Sequence, residues 1–430
     1  MSSVTSLLAK FEFVSFKQRG FRTRFGLVFL STYSSLGSLL PSRTLGPAFW
    51  TGVFVDPSIP LAVIGRCSDN SGSRSTDLVL DLANNTEFPL AALWNTLRPV
   101  LHRCRTLSVR VRDAESWLLL DAEIQDARVD RLESCVLQIE HDVSDQIAVH
   151  PVFLRLGDGF IRKVAHLCLH GISLEWSSRH NFSLLSSLTI IDPAFSPSWS
   201  DYRIIATNAG TLRRLCLRNA GCSDSPADLS DVIDFPCLDE LDYSFGNRSP
   251  SSSLFIRHCS MPSLRVLRFH AEQPGHLMAL AFCATMLSTV ETLRLSGAVE
   301  DDGFAYFLFI RLPLLRFLEL PTTDGSFLHA ILVADSRLGR QVPPEGPACP
   351  LLTRVRVLGG SLSLLHQFVW RRRSSDAKNL EAVEFSVESF SELDVTELHV
   401  LNAEVEVLAV GADTEEPHWI TGMGDLNGLG

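Results

Sequence analysis

The run Leu212-Arg213-Arg214-Leu215-Cys216-Leu217 returns four more times along the chain in altered form. Its apolar positions are Leu212, Leu215 and Leu217, and the counterparts are Leu238, Leu241 and Tyr243, then Leu264, Leu267 and Phe269. Val290, Leu293 and Leu295 follow, and Leu315, Leu318 and Leu320 close the series. First positions at 212, 238, 264, 290 and 315 give steps of 26, 26, 26 and 25 residues. The last two apolar positions of each unit are two apart, which is the period of a strand with one buried face. A unit of this size cannot bury that face alone, so successive units must stack.

A repeated L-x-x-L-x-L phrase with a period of 20–29 residues marks the leucine-rich repeat. Looser copies extend it upstream at Leu185/Leu188/Ile190, Val164/Leu167/Leu169, Leu132/Cys135/Leu137, Cys104/Leu107/Val109 and a short strand at Leu78/Leu80. Downstream copies fall at Leu352/Val355/Val357, Leu380/Val383/Phe385 and Val395/Leu398/Val400. Four units share an apolar-Pro lead-in, at Phe235-Pro236, Met261-Pro262, Leu312-Pro313 and Cys349-Pro350. Proline cannot continue a helix and pushes its predecessor toward extended geometry, so the lead-in marks a switch from connector to strand. Apolar connectors at His276–Val290, Phe304–Leu312, Ser326–Val333 and Ser361–Trp370 are expected to be helices. The predicted fold is an α/β leucine-rich-repeat solenoid with a parallel sheet on the concave side and helices on the convex side. A short helical segment is expected ahead of it. Three residues after the last apolar position, where many such repeats carry Asn or Cys, this chain has Ala220, Gly246, Glu272, Ala298 and Thr323. That substitution pattern predicts an irregular repeat of intracellular type.

Composition narrows the function classes. A chain of 430 residues, 46% hydrophobic and 20% charged, can bury a large core. Its net charge of −11 argues against general nucleic-acid binding, which needs a basic surface to neutralise phosphates. Lysine occurs only at Lys10, Lys17, Lys163 and Lys378, so positive charge is nearly all arginine. The ten cysteines contain no C-x-x-C pair and several fall at strand positions, which favours free thiols in a reducing compartment, cytosol or nucleus. The sequons at Asn84, Asn181 and Asn247 would then be idle. Residues 1–46 set six basic residues against Glu12, and a mitochondrial presequence is the minor alternative. The apolar run Phe25–Leu40 is too short and interrupted to span a membrane.

Motifs for catalysis, namely G-x-S-x-G, H-E-x-x-H and the Walker-A loop, are absent from the sequence, so no catalytic residue and no cofactor is expected. Gly422, Gly424 and Gly428 read as part of a tail, residues 411–430, with no following helix to bind phosphate. His166 and His170 flank Cys168, but a fourth metal ligand is missing and exposed strand positions are the simpler reading. Arg371-Arg372-Arg373 is expected to be a solvated helix end. Recognition must then come from the sheet surface. Residues between the last two apolar positions are Cys216, Asp242, Arg268, Arg294, Glu319, Arg356 and Glu384, and flanking positions add Arg214, Arg218, Glu240, His270 and Arg354. With strands ~4.8 Å apart, Asp242 should face Arg268 and Arg294 should face Glu319. Two readings stay open: mutual cross-strand charge pairs, or a mixed-charge groove for a protein partner.

Residues 47–66 carry a separate signal. Pro47-Ala48-Phe49-Trp50-Thr51-Gly52-Val53 resembles the end of an F-box, where a Pro-x-Leu-Trp-x-x-Ile run closes the last helix. The passage through Ser71-Gly72-Ser73 to Asp77-Leu78-Val79-Leu80, and the phrase Leu101-His102-Arg103-Cys104-Arg105-Thr106-Leu107, resemble F-box proteins of mushroom-forming fungi. The family's opening, Leu-Pro-x-Glu-x-Leu, is missing from residues 1–46. The resemblance implies a substrate receptor of an SCF-type ubiquitin ligase, with Phe49, Trp50 and Val53 toward the Skp adaptor and cullin, and a protein target on repeats spanning 67–410. The alternative is a repeat module with a decayed F-box and no ligase link.

Overall fold

The computed structural model describes residues 52–55, 61–83, 90–113, 115–118, 120, 129–140, 153–154, 163–176, 182–224, 231–245, 252–271, 274–297, 305–320, 327–331, 348–357, 362–373, 377–386 and 395–410. The chain divides into two compact units, residues 1–185 and 186–430.

In the first unit β1 (Gly52–Val55), β2 (Thr76–Leu82), β3 (Cys104–Val111), β4 (Ser134–Ile139) and β6 (His166–His170) pair in parallel and in chain order. The two-residue strands β5 (Phe153–Leu154) and β7 (Ser173–Leu174) pair separately. Helices α1 (Leu61–Ser71) and α2 (Leu90–Leu101) supply crossovers, as parallel strands require. The Leu78/Leu80 strand is a full seven residues and is followed in register by Leu107/Val109 and then Cys135/Leu137. One reading is corrected here. Gly52–Val55, taken as the end of a closing helix, is a strand, and Val53 is buried opposite Leu78. Its alternation of Gly, Val, Phe and Val suits an extended edge better than a helix, because β-branched side chains lose χ1 freedom in a helix.

Among its described residues, the second unit carries nine parallel strands in chain order. They are β8 (Ser187–Ile191), β9 (Arg214–Arg218), β11 (Glu240–Ser244), β13 (Val266–His270), β14 (Thr292–Ser296), β15 (Phe317–Leu320), β16 (Arg354–Val357), β17 (Ala382–Ser386) and β18 (Glu406–Val410). Short strands β10 (Ile233–Asp234) and β12 (Cys259–Ser260) pair beside them. Register follows the phrase: Leu215, Leu241, Leu267, Leu293, Leu318, Val355 and Val383 form one continuous buried row. The next apolar position gives a second row, in which Tyr243 stacks on Phe269 with centroids 6.3 Å apart. Stacked parallel strands that repeat their neighbours' register, most of them joined through helical connectors, make this an α/β leucine-rich-repeat solenoid.

The first apolar position of each phrase closes a turn. The amide of Leu238 donates to Phe235 O, that of Leu264 to Met261 O, that of Leu315 to Leu312 O and that of Leu352 to Cys349 O, at 3.0–3.3 Å. Each is an i to i+3 turn with proline at the second place, where its fixed φ is already correct. The same bond recurs without proline from Leu212 to Ala209 and from Val290 to Leu287. Carbonyls then carry the register into the strand: Asp239 N–H donates to Arg213 O, Arg265 to Asp239, Glu291 to Arg265 and Arg316 to Glu291.

Helices α3 (Trp199–Asn208), α4 (Ser252–Arg257), α5 (Pro274–Ala281), α6 (Ala284–Leu287), α7 (Ala305–Phe309), α8 (Leu362–Arg373) and α9 (Val395–Asn402) occupy connectors. Ser198 caps α3, accepting from the Asp201 amide, while Asp201 accepts from the Ser198 amide. The helix expected over 276–290 is broken into α5 and α6, because the Cys283 amide tightens onto Leu280 O and ends the first. Residues 327–331 are helical, within the expected 326–333. The strand expected at Val395/Leu398/Val400 is instead α9, and the sheet resumes at β18. Leu401 is buried and Val400 exposed, as a helical stripe dictates. Too few residues separate Ser386 from Val395 for a parallel crossover, so the chain spends the apolar run on the crossover itself.

Arg372 also departs from expectation. It is wholly buried, and its guanidinium donates to the carbonyls of Ala348, Cys349 and Lys378 at 3.0–3.4 Å. Only Arg371 and Arg373 of that triplet are exposed.

Candidate functional site

Side chains that alternate with the buried rows point away from the core. In the second unit the strand register places Asp242, Arg268, Arg294, Glu319, Arg356 and Glu384 in one row across six neighbouring strands. Arg214 and Glu240 are opposite one another in the row before it, as are Phe317 and Arg354. Arg218 and His270 lie at the far ends of their strands. The period-2 alternation of a strand therefore assembles eleven charged or titratable side chains and Phe317 on one face, although they are scattered over 170 residues of sequence.

The face holds two networks. In the first, Glu240 lies between Arg214, at 3.4 Å, and Arg268, while Asp242 accepts from Arg218 at 3.0 Å. In the second, Glu319 lies between Arg294, at 3.8 Å, and Arg356, at 3.2 Å. Arg356 continues to Glu384 at 2.7 Å, and Glu384 also receives Arg354. The predicted Arg294–Glu319 contact is present. Asp242 is opposite Arg268 in register, as expected, and two diagonal pairs are also present, Arg218 to Asp242 and Arg268 to Glu240, which long side chains can reach.

Depth varies along the face: Arg268, Arg294 and Arg356 lie about as deep as Glu240 and Glu319, while Arg214, Arg218 and Arg354 stand out further. Arg214 and Arg354 keep 53% and 49% of their side-chain surface, whereas Asp242 and Glu384 keep 7% and 1%. A carboxylate this deep costs desolvation, and Glu384 offsets it with two guanidiniums. The carboxylates lie low, and Arg214, Arg218 and Arg354 stand above them. Phe317 sits among three of those arginines, with the guanidinium carbons of Arg294, Arg354 and Arg356 at 5.9, 5.7 and 5.5 Å from its ring centre. His270 Nδ1 is 2.9 Å from Ser296 Oγ.

Phe317 was not visible as a site residue from sequence, where it reads as part of an apolar run. The signal is its place two residues before Glu319, an outward position where other repeats carry Arg214, Glu240 or Arg354. In the first unit Asp77 takes a two-pronged bond from Arg105 at 3.0 and 3.2 Å, and Arg110 meets Asp81 and Glu140, which sequence reasoning also passed over. His166 is exposed and Cys168 buried on β6, and among the described residues no group of three or more His, Cys, Asp or Glu is gathered as a metal site would need. Among the same residues no helix is long and apolar enough to cross a membrane. Phe49, Trp50, the three sequons and the tail glycines lie outside the described residues.

Comparison with known proteins adds little to this. No family model matches the chain, and no curated protein does. Among solved structures, the leucine-rich-repeat-containing protein LegL7 from Legionella pneumophila is similar at 10% identity and a TM-score of 0.37, covering 88% of this chain and 98% of its own. A Bacteroides fragilis protein solved by structural genomics is similar at 10% identity and a TM-score of 0.33, covering 72% of this chain and 76% of its own. The fold assignment rests on the ladder and register of this chain itself.

Proposed function

We propose that the chain is a non-enzymatic protein-interaction scaffold that receives a protein target on the arginine-rich face of its sheet. The observation that carries this is the charged face itself, whose rows run across seven neighbouring strands and from which Arg214, Arg218 and Arg354 stand out over carboxylates that keep 17% of their surface or less. The strands are fixed by shared register, so the face is pre-organised and a partner need not order it on binding. The finer role, substrate receptor of an SCF-type ubiquitin ligase, is supported by the resemblance of Pro47–Val53 and of the passages at Ser71–Leu80 and Leu101–Leu107. Burial of Val53 within β1 favours the second reading, a repeat module without a ligase link, because a residue spent on the sheet edge is withdrawn from an adaptor. Co-precipitation with the Skp adaptor and cullin separates the two. The module reading expects neither to be recovered, and strong recovery of both, abolished by Trp50→Ala, would establish the receptor.

A further inference from the structure

Given that this face is the recognition surface, we propose that it takes an acidic, extended protein segment whose carboxylates flank an apolar or aromatic side chain. The strands β9, β11 and β13 through β17 carry six arginines (214, 218, 268, 294, 354, 356) against four carboxylates (240, 242, 319, 384), a local charge of +2 in a chain of −11. Composition alone would not predict a positive face. Depth strengthens the asymmetry, since the carboxylates lie on the floor while Arg214 and Arg354 reach outward half-exposed. A ligand therefore meets guanidinium N–H groups first, and these match the two oxygens of a carboxylate.

Phe317 supplies the apolar element. It is half-buried, and three guanidiniums ring it within 6 Å. A side chain laid on that ring is bordered by positive charge, so acidic neighbours on the ligand are favoured. Length follows from the sheet. From β9 to β16 there are five inter-strand steps of ~4.8 Å, or ~24 Å, which an extended chain covers in about seven residues. A nucleic acid fits the face less well, because four carboxylates lie among the arginines and would repel a continuous phosphate backbone.

The test is a selection of random twelve-residue peptides displayed on phage against the full 430-residue chain. Selected peptides are then measured by fluorescence anisotropy on the parent, on Arg214→Glu and Arg354→Glu, and on the milder Arg354→Gln; a 20-nucleotide single-stranded DNA serves as comparator. Expected are peptides rich in Asp and Glu around an aromatic residue, losing affinity roughly tenfold or more on the Glu variants and less on the Gln variant. Raising ionic strength should shrink those differences. Neutral or basic peptides that still lose affinity on the variants would overturn the acidic class and leave the recognition face standing. Peptides that bind parent and variants alike would overturn both. Selection without enrichment, or DNA binding that outcompetes the peptides, would count against an acidic protein segment. Matching urea midpoints for parent and Arg354→Gln exclude misfolding as the cause of a loss.

Discussion

Leu267 shows what one side chain does in this fold. It is fully buried between Leu241 and Leu293 on the flanking strands, so truncation empties space that neither neighbour can fill without leaving its own register. Leu267→Ala should cost ~2–5 kcal/mol, read as a lower urea midpoint with unchanged slope. Cysteines give a pH dependence. Burial chiefly pushes the thiols of Cys104, Cys168, Cys222 and Cys283 from 9.0 up to about 12. Above pH 9 the unfolded chain releases those protons while the folded chain keeps them. Stability is therefore fully present below pH 9 and falls as pH rises toward 12, and urea midpoints measured across that window should decline. The leucine positions were legible in the sequence because hydrophobicity alone places them. Arg372 was not, since three carbonyl acceptors come from residues 348, 349 and 378, and local sequence around an arginine triplet says nothing of them.

At the scale of elements, the strand phrase was readable even at steps of 21, 32 and 37 residues, and failed where the step was too short for a crossover. Val395/Leu398/Val400 satisfies the same apolar spacing, yet it begins 15 residues after Leu380, which is too close for a strand, a connector and a return. The three-position match was real, and chain length overruled it. Helices were less legible than strands. The expected ones were found by apolar content, whereas α3 is fixed by its cap as much as by its face, burying only Trp199, Tyr202 and Ile205. Ser198→Ala removes the acceptor for the Asp201 amide and half of a reciprocal pair. A loss of ~0.5–2 kcal/mol is expected in urea titration, and Ser198→Thr should retain most of it. The charged face was partly legible. Period 2 named its residues, but which arginine meets which carboxylate depends on depth and stem length, and those appear only with the fold.

Within each unit, the long strands each pair with the long strand before and after them in the chain, and each connector returns the chain by one step. Stability in such an array is close to a sum of unit and neighbour terms. Equal register has a consequence for length: the chain is divisible in quanta. Residues 265–290 make up one 26-residue step, and their excision would join Leu264 to Glu291 with the phrase Leu264/Leu293/Leu295 intact. Strand β11 would then lie beside β14, bringing Leu241 against Leu293 and Asp242 against Arg294, so apolar and charged rows would both stay continuous. The shortened protein should fold cooperatively by circular dichroism and urea titration, while removal of about half that length should not, because it would leave a strand out of phase with its neighbours. The same arithmetic sets the reach of the recognition face, which would grow or shrink by one strand spacing of ~4.8 Å for every step of chain gained or lost.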